Sequence, residues 1–255
     1  MTSIKLKLQN SCATSSSCDP CTLREICRRP DAVASGNRQP VECHCRILGS
    51  DAGAHIYWIG EPLDRVYAVK SGCIKTYTLD KDGNERVRGF HLPGDILGLD
   101  AIGSGHYPSN AAAVSDASMC SLPYSELERA LASPTFTGPF ITLMAMHLST
   151  ALAMAGDYTA EQRLAAFLVS LHKRERTQNM TQGKKLKLPM KRRDIASLLR
   201  LAPETISRLL SQFSKQGLLV TSSISELDLL DLPQLQQLAE PVGITTGYKS
   251  SLRAA

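Results

Sequence analysis

The chain has 255 residues, 43% of them hydrophobic and 21% charged, with a formal net charge of +5. Those values describe a globular protein with room for one large or two small domains and a real core. No run approaches the roughly 18 apolar residues that a membrane span needs, and residues 1–10 lack the apolar core of an export signal, so a cytoplasmic, non-membrane protein is expected. Eight cysteines without such a signal point to metal or redox chemistry rather than structural disulfides.

The net charge conceals an asymmetry. Residues 160–220 hold 13 Lys and Arg against 4 Asp and Glu, while the rest of the chain holds 16 basic and 20 acidic residues. A basic segment on a mildly acidic protein is the electrostatic footprint of nucleic-acid binding.

Residues 1–41 read as a loose arm in which only 23–29 favour a short helix. Within it Cys18, Cys21 and Cys27 follow a C-x2-C-x5-C spacing, with Cys12 shortly before. Three thiols this close can share one soft ion or cluster. Zinc sites usually take two short pairs, whereas iron–sulfur clusters accept a run of three plus a distant fourth, and the motif alone leaves the ligand open. From about residue 42 the pattern turns to short strands. Residues 65–69 and 74–79 precede Asp80-Lys81-Asp82-Gly83, whose Asp-Gly supplies the positive φ of a hairpin turn, with residues 85–92 as the return strand. Pro93-Gly94, Gly98, Gly103-Ser104-Gly105 and Pro108 punctuate further short strands, the pattern of a small barrel or roll. Gly98 to Gly105 lacks the Gly-Lys-Ser/Thr ending of a phosphate loop. The barrel's histidines, His55, His91 and His106, form no paired-histidine motif, so an enzyme is not expected.

A helix is predicted over about 140–155, where Ile141, Ala145, Leu148, Leu152 and Ala155 recur at heptad spacing. This face serves either as a dimer seam or as packing against the chain's own barrel. Thr159-Ala160-Glu161-Gln162 reads as a capping box that opens a new helix through Leu164, Phe167, Leu168 and Leu171. Residues 193–199 form a short amphipathic helix and Arg200-Leu201-Ala202 a turn. Pro203 suits the first position of the next helix. There Ile206, Leu209, Leu210 and Phe213 face inward and Glu204, Ser207, Arg208 and Ser211 outward. Two short helices around a tight turn describe a helix-turn-helix, with a two-stranded wing expected over 217–229.

Arg208 can give two hydrogen bonds to a guanine, Glu204 can accept from a cytosine amino group, and Ser207 can touch a thymine methyl. The plainer alternatives are a Glu204 that stabilises the helix dipole and an Arg208 that pairs with Glu204 four residues earlier. Lys184, Lys185, Lys187, Lys191, Arg192 and Lys215 are candidate phosphate contacts.

These features together resemble the oxygen-sensing FNR regulators of the CRP/FNR superfamily, over residues 18 to about 239. The resemblance is strongest in residues 89–96 (GFHLPGDI), 100–106 (DAIGSGH), 163–167 (RLAAF) and 204–210 (ETISRLL), beside the cysteine run. It implies an α+β chain: an N-terminal cyclic-nucleotide-binding-like β-barrel (a double-stranded β-helix), a long dimerisation helix and a C-terminal winged helix-turn-helix. The corresponding segments are a cluster-binding arm over 1–41, the barrel over 42–135, the dimer helix over 136–158, the DNA-binding domain over 159–240 and a tail over 241–255. It also implies a [4Fe–4S] cluster on Cys18, Cys21, Cys27 and Cys120, base reading by Glu204, Ser207 and Arg208, a homodimer on a TTGAT–N4–ATCAA-like palindrome in double-stranded DNA, and contact with RNA polymerase. Cys12, Cys43, Cys45 and Cys73 match no ligand. No Lys or Arg occurs over 89–128, so no cation awaits a nucleotide phosphate and no cyclic nucleotide is expected. A small-molecule-responsive regulator with incidental or zinc-binding cysteines is the alternative. The sequence departs from the family in an acid-free dimer helix that reads about a turn short, in Arg200 where glycine is usual, and in Ala202 where a Ser or Thr cap is usual.

Overall fold

The computed structural model describes residues 7–11, 46–154, 156–177 and 184–243. Cys12, Cys18, Cys21, Cys27, Cys43, Cys45, Ala155 and the short helix expected over 23–29 lie outside the described residues. The chain divides into two compact units, Met1–Thr137 and Gly138–Ala255.

In the first unit the strands are β1 (Lys7–Ser11), β2 (Arg46–Ser50), β3 (His55–Tyr57), β4 (Arg65–Ser71), β5 (Ile74–Leu79), β6 (Glu85–His91), β7 (Ile96–Leu97), β8 (Asn110–Ala113) and β9 (Ala117–Pro123). They pair antiparallel in two sheets, ordered β1-β2-β9-β4-β7 and β3-β8-β5-β6, in a jelly-roll-like arrangement rather than one closed barrel. Tyr57 of β3 stacks on Tyr67 of β4 with ring centroids 6.0 Å apart, and on Tyr107 at 3.8 Å. This aromatic layer identifies the inner face of each sheet. The hairpin β5–β6 falls where Asp80-Gly83 predicts it. The Asp80 carboxylate accepts from the backbone N–H of Asp82 at 3.0 Å and of Asn84 at 2.9 Å, and Arg86 pairs with it at 2.9 Å. The expected loose arm contains β1, which extends the larger sheet by pairing Leu8 with Leu48 and Gln9 with Ile47.

Helix α1 (Tyr124–Leu131) follows β9 and packs back against it, burying Leu127 and Ala130. Helix α2 (Pro134–Met154) has 21 residues, about 31 Å at 1.5 Å per residue. It begins six residues before Phe140 and continues through Gly138 and Pro139, which a sequence reading takes for a helix boundary. Its start is held from Ser133, whose carbonyl accepts from Phe136 N–H at 3.0 Å and Thr137 Oγ1 at 2.9 Å. The apparent shortness of this helix in the sequence is thereby corrected, whereas its lack of acidic residues stands.

The second unit contains α3 (Ala160–Thr177), β10 (Lys185–Lys187), α4 (Arg192–Leu199), α5 (Pro203–Lys215), β11 (Leu219–Ser223), β12 (Glu226–Leu229) and α6 (Leu232–Ala239). The capping box at the start of α3 is closed on both sides: Gln162 N–H donates to Thr159 Oγ1 at 3.2 Å and Thr159 N–H to Gln162 Oε1 at 3.0 Å. The wing has three strands, ordered β10-β12-β11, where two were expected. Leu186 supplies the reason: it is fully buried between two exposed lysines, so this short segment gains a ladder and a core contact together.

Gly72, in the turn between β4 and β5, has φ +80°, and a Cβ there would lie 2.2 Å from the Asp116 carbonyl oxygen. That oxygen and Ala117 Cα, at 2.7 Å, are both backbone atoms, so they cannot yield. Gly72→Ala is expected to destabilise the first unit by about 3 kcal/mol, read as a lowered urea midpoint.

Candidate functional site

The helix-turn-helix is built by burial on one side and polarity on the other. Ile206, Leu209, Leu210 and Phe213 of α5 are buried, as are Ile195, Ala196 and Leu199 of α4. The opposite face of α5 shows Glu204, Arg208, Ser211 and Lys215 to solvent, with Ser207 half-buried. Ser207, Arg208, Ser211, Gln212 and Lys215 line one open concavity along the helix. Ser207 Oγ donates to the Pro203 carbonyl at 3.3 Å and Ser211 Oγ to the Ser207 carbonyl at 3.0 Å. Their hydroxyl protons are thus spent within the helix, and lone pairs and Cβ groups face outward. Among the described residues no ion pair joins Glu204 to Arg208, so both side chains extend from the surface independently.

The turn between the helices is a Schellman motif. Leu201 N–H bonds the Ala196 carbonyl at 2.9 Å, and Arg200 N–H bonds that of Ser197 at 3.2 Å. This geometry places Arg200 in the left-handed region, at φ 55° and ψ 44°, the only non-glycine residue with positive φ among the described residues. An L-residue pays about 1–2 kcal/mol there, which is the physical reason glycine suits this turn. Ala202 occupies the cap of α5 with an extended backbone and no side-chain hydrogen bond, and Pro203 takes the first helical position.

Two contacts absent from the sequence reading lock the motif to α3. Gln212 Nε2 donates to Glu161 Oε1 at 2.8 Å. Arg163 donates from Nε to the Tyr158 carbonyl and from Nη1 to the Leu199 carbonyl, both at 3.2 Å, so one guanidinium holds the segment before α3 and the C-terminus of α4. The pairing of long polar side chains across 36 and 51 residues leaves no local signal. Of the candidate phosphate contacts, Lys184, Lys185, Lys187, Lys191 and Lys215 are exposed. Lys185 and Lys187 stand opposite Asp228 and Glu226 in the β10–β12 ladder, which offsets their charge. Arg192 is half-buried and its Nε is shut off from solvent.

In the first unit Cys120 lies on β9, paired with Ile47 of β2 and Ala68 of β4, and is buried. Side chains directly opposite share a face of the sheet, and neighbours along a strand alternate. Tyr67, Val69, Met119 and Leu48 share the inner face marked by the tyrosine stack, so Ile47, Cys120 and Ala68 form a row on the outer face, away from the second sheet. Cys73 is fully buried on the strand turn before β5, without relation to Cys120 in the register. Cys18, Cys21 and Cys27 lie outside the described residues; among those described, no three His, Cys, Asp or Glu side chains converge on a metal position. On α2, Ile141 and Leu148 are each 61% exposed and Ala145 is exposed, leaving an apolar row uncovered, while the side chains of Leu152 and Ala155 are outside the description. No helix among the described residues is long and apolar enough to cross a membrane.

Comparison with known proteins agrees with both units. A Crp-like helix-turn-helix domain matches residues 162–238 and a cyclic nucleotide-binding domain residues 50–133. The transcriptional regulatory protein btr of Bordetella pertussis is 34% identical over 225 residues, 87% of this chain and 92% of that one. The fumarate and nitrate reduction regulatory protein of Escherichia coli is 38% identical over 171 residues, 66% of this chain and 68% of that one. The structure of FixK2 from Bradyrhizobium japonicum superposes with a TM-score of 0.68 at 32% identity, covering 76% of this chain and 96% of that one.

The uncapped recognition helix yields a direct expectation. Ala202→Ser supplies the missing acceptor for the first-turn N–H groups and raises stability by about 1 kcal/mol, read from thermal unfolding of the full chain. A jelly-roll-like first unit, a winged helix-turn-helix with a polar recognition face, and relatives aligned across both units lead to one conclusion: the chain belongs to the CRP/FNR family of DNA-binding transcription regulators.

Proposed function

We propose that this regulator senses oxygen through a [4Fe–4S] cluster held by Cys18, Cys21, Cys27 and Cys120. In this reading the cluster-bearing chain forms a homodimer that binds a TTGAT–N4–ATCAA-like palindrome in the cytoplasm and acts with RNA polymerase on genes for low-oxygen metabolism. The observation that carries the reading is the position of Cys120 on the outer face of β9, in the sheet to which the N-terminal strand also belongs. Ser11, the last residue of β1, is paired with Arg46, which is paired with Ser121. It therefore stands about 10 Å from the neighbour of Cys120, two strand spacings of about 4.8 Å. The seven residues from Ser11 to Cys18 reach up to about 23 Å, more than enough to bring the first thiol to the fourth. Four thiolates as three clustered and one distant suit an iron–sulfur cluster better than a structural zinc ion. The fumarate and nitrate reduction regulators among the relatives favour the same assignment.

Such a cluster, when bound, supplies the reactivity toward oxygen. The chain's own residues supply the rest. The cysteines tie the arm to the sheet. Ile141, Ala145 and Leu148 offer an apolar row for a second copy. Glu204, Ser207 and Arg208 read base edges, with Arg208 on guanine. The absence of Lys and Arg over residues 89–128 argues against a cyclic nucleotide as effector, since its phosphate would be buried without a cation.

Protein purified without oxygen is expected to be brown, to contain iron and sulfide, and to bleach in air. Cys120→Ala removes the colour and lowers affinity for the palindrome by about 10–100-fold, whereas Cys43→Ala leaves both unchanged. A colourless anaerobic protein containing zinc overturns the reading in favour of a regulator that answers another signal. Because α2 has no acidic residue to repel its partner, air-exposed protein is expected to retain a dimer fraction in sedimentation; a clean monomer contradicts this.

A further inference from the structure

The geometry points to Arg200 as a DNA-backbone contact, a cation placed by the helix-turn-helix turn to meet a phosphate flanking the half-site. The inference rests on the DNA-binding assignment of the family and not on the cluster.

Three observations carry it. Arg200 holds a left-handed backbone that a bulky L-residue adopts only at a cost, and every other described residue with positive φ is glycine. Its side chain is exposed and makes no hydrogen bond or ion pair with any described residue, so nothing within the folded unit recovers that cost. Strain retained without an internal benefit concentrates at positions that engage a ligand. Secondly, Arg200 lies three positions before Pro203, at the entry to the recognition helix, next to the end of α5 that carries Glu204 and Ser207. Thirdly, the β11–β12 hairpin of the wing offers no cation. Residues 216–230 contain no Lys or Arg, and β12 carries Glu226 and Asp228 opposite the two lysines of β10. Outside β10, whose lysines face these carboxylates, the cations left to meet phosphates lie at the helix-turn-helix itself, and Arg200 is the one whose backbone is strained to be there.

A phosphate contact positions the protein without reading sequence, so its removal weakens binding to all duplexes alike and lessens the salt dependence. The test uses full-length protein prepared without oxygen and measures fluorescence anisotropy on a labelled palindromic duplex and on a scrambled duplex of equal length, across a range of KCl. Arg200→Gly is expected to unfold about 2–4 °C higher, because the strain is relieved. It should also bind both duplexes several-fold more weakly at low salt, with the slope of log K against log[salt] shallower by about one for each bound protomer. Arg200→Lys keeps the charge and should keep the slope. Stability and affinity thus move in opposite directions, which a damaged fold does not produce. An unchanged slope in Arg200→Gly, a Lys variant as weak as the Gly variant, or a loss confined to the palindrome each overturns the assignment. A lower unfolding temperature in Arg200→Gly overturns the strain on which it stands. The scrambled duplex reports on the contact even if the palindrome is not the true target.

Discussion

The burial of both faces of β9 is the constraint on which the first unit depends. Its inner side chains, with Met119 fully buried, meet the tyrosine layer and the opposing sheet, while Leu122 and Cys120 on the outer side are equally inaccessible. A strand in this position cannot shift by one residue, because the slip would exchange the two rows and put Ser118 and Cys120 into the aromatic core. The register of β9 and the placement of Cys120 are therefore secured by the same packing. The thiol that the proposed switch needs is held on the outer surface of the sheet by the pleat that builds the core.

The second unit solves a different problem, which is to hold a short helix firmly enough to read DNA. Helix α5 has only 13 residues and no side-chain cap at its start, and an isolated helix of this length is marginal in water. Its rigidity comes from tertiary contacts: four buried side chains beneath it, the Gln212–Glu161 hydrogen bond to the first turn of α3, and α4 fastened through Arg163 to the Tyr158 carbonyl. The first turn of α3 is the common anchor, and it directly follows the segment leaving α2. The orientation of the recognition helix is thus tied to the end of the helix proposed to form the dimer, through Glu161 and Arg163 of that one turn.

What the sequence made legible follows from how local the signal is. The β5–β6 hairpin, the Thr159–Gln162 capping box and the buried stripe of α5 are each determined within about ten residues, and all three stand in the structure. Strand β10 was hidden because Lys-Leu-Lys reads as part of a charge run, and only the long-range ladder with β12 makes it a strand. The start of α2 was hidden because Pro139 obscures a helix already begun at Pro134. The face on which Cys120 lies was illegible for a further reason. Both faces of β9 are buried, so there is no apolar–polar alternation to read, and only the tyrosine stack between sheets tells inner from outer. Arg163 and Gln212 carried no local signal at all.

The acid-free face of α2 limits how far the proposed switch can turn. Burying Ile141 or Leu148, now more than half exposed, contributes up to about 1.5–3 kcal/mol per side chain. That contribution favours the dimer whether or not the arm is tied down. An acidic residue on the seam would oppose it and leave the balance to the cluster; without one, the basal dimer is more stable and the cluster decides a smaller share. A hundredfold change in DNA affinity requires a coupling of about 2.7 kcal/mol. In the proposed switch that coupling would have to come almost entirely from constraints a cluster on four cysteines would impose, since the apolar row itself is the same with and without it. Strong control then requires that the untethered arm hold α2 in an unfavourable geometry; otherwise the seam alone sustains the dimer, and the regulator retains appreciable DNA binding in air.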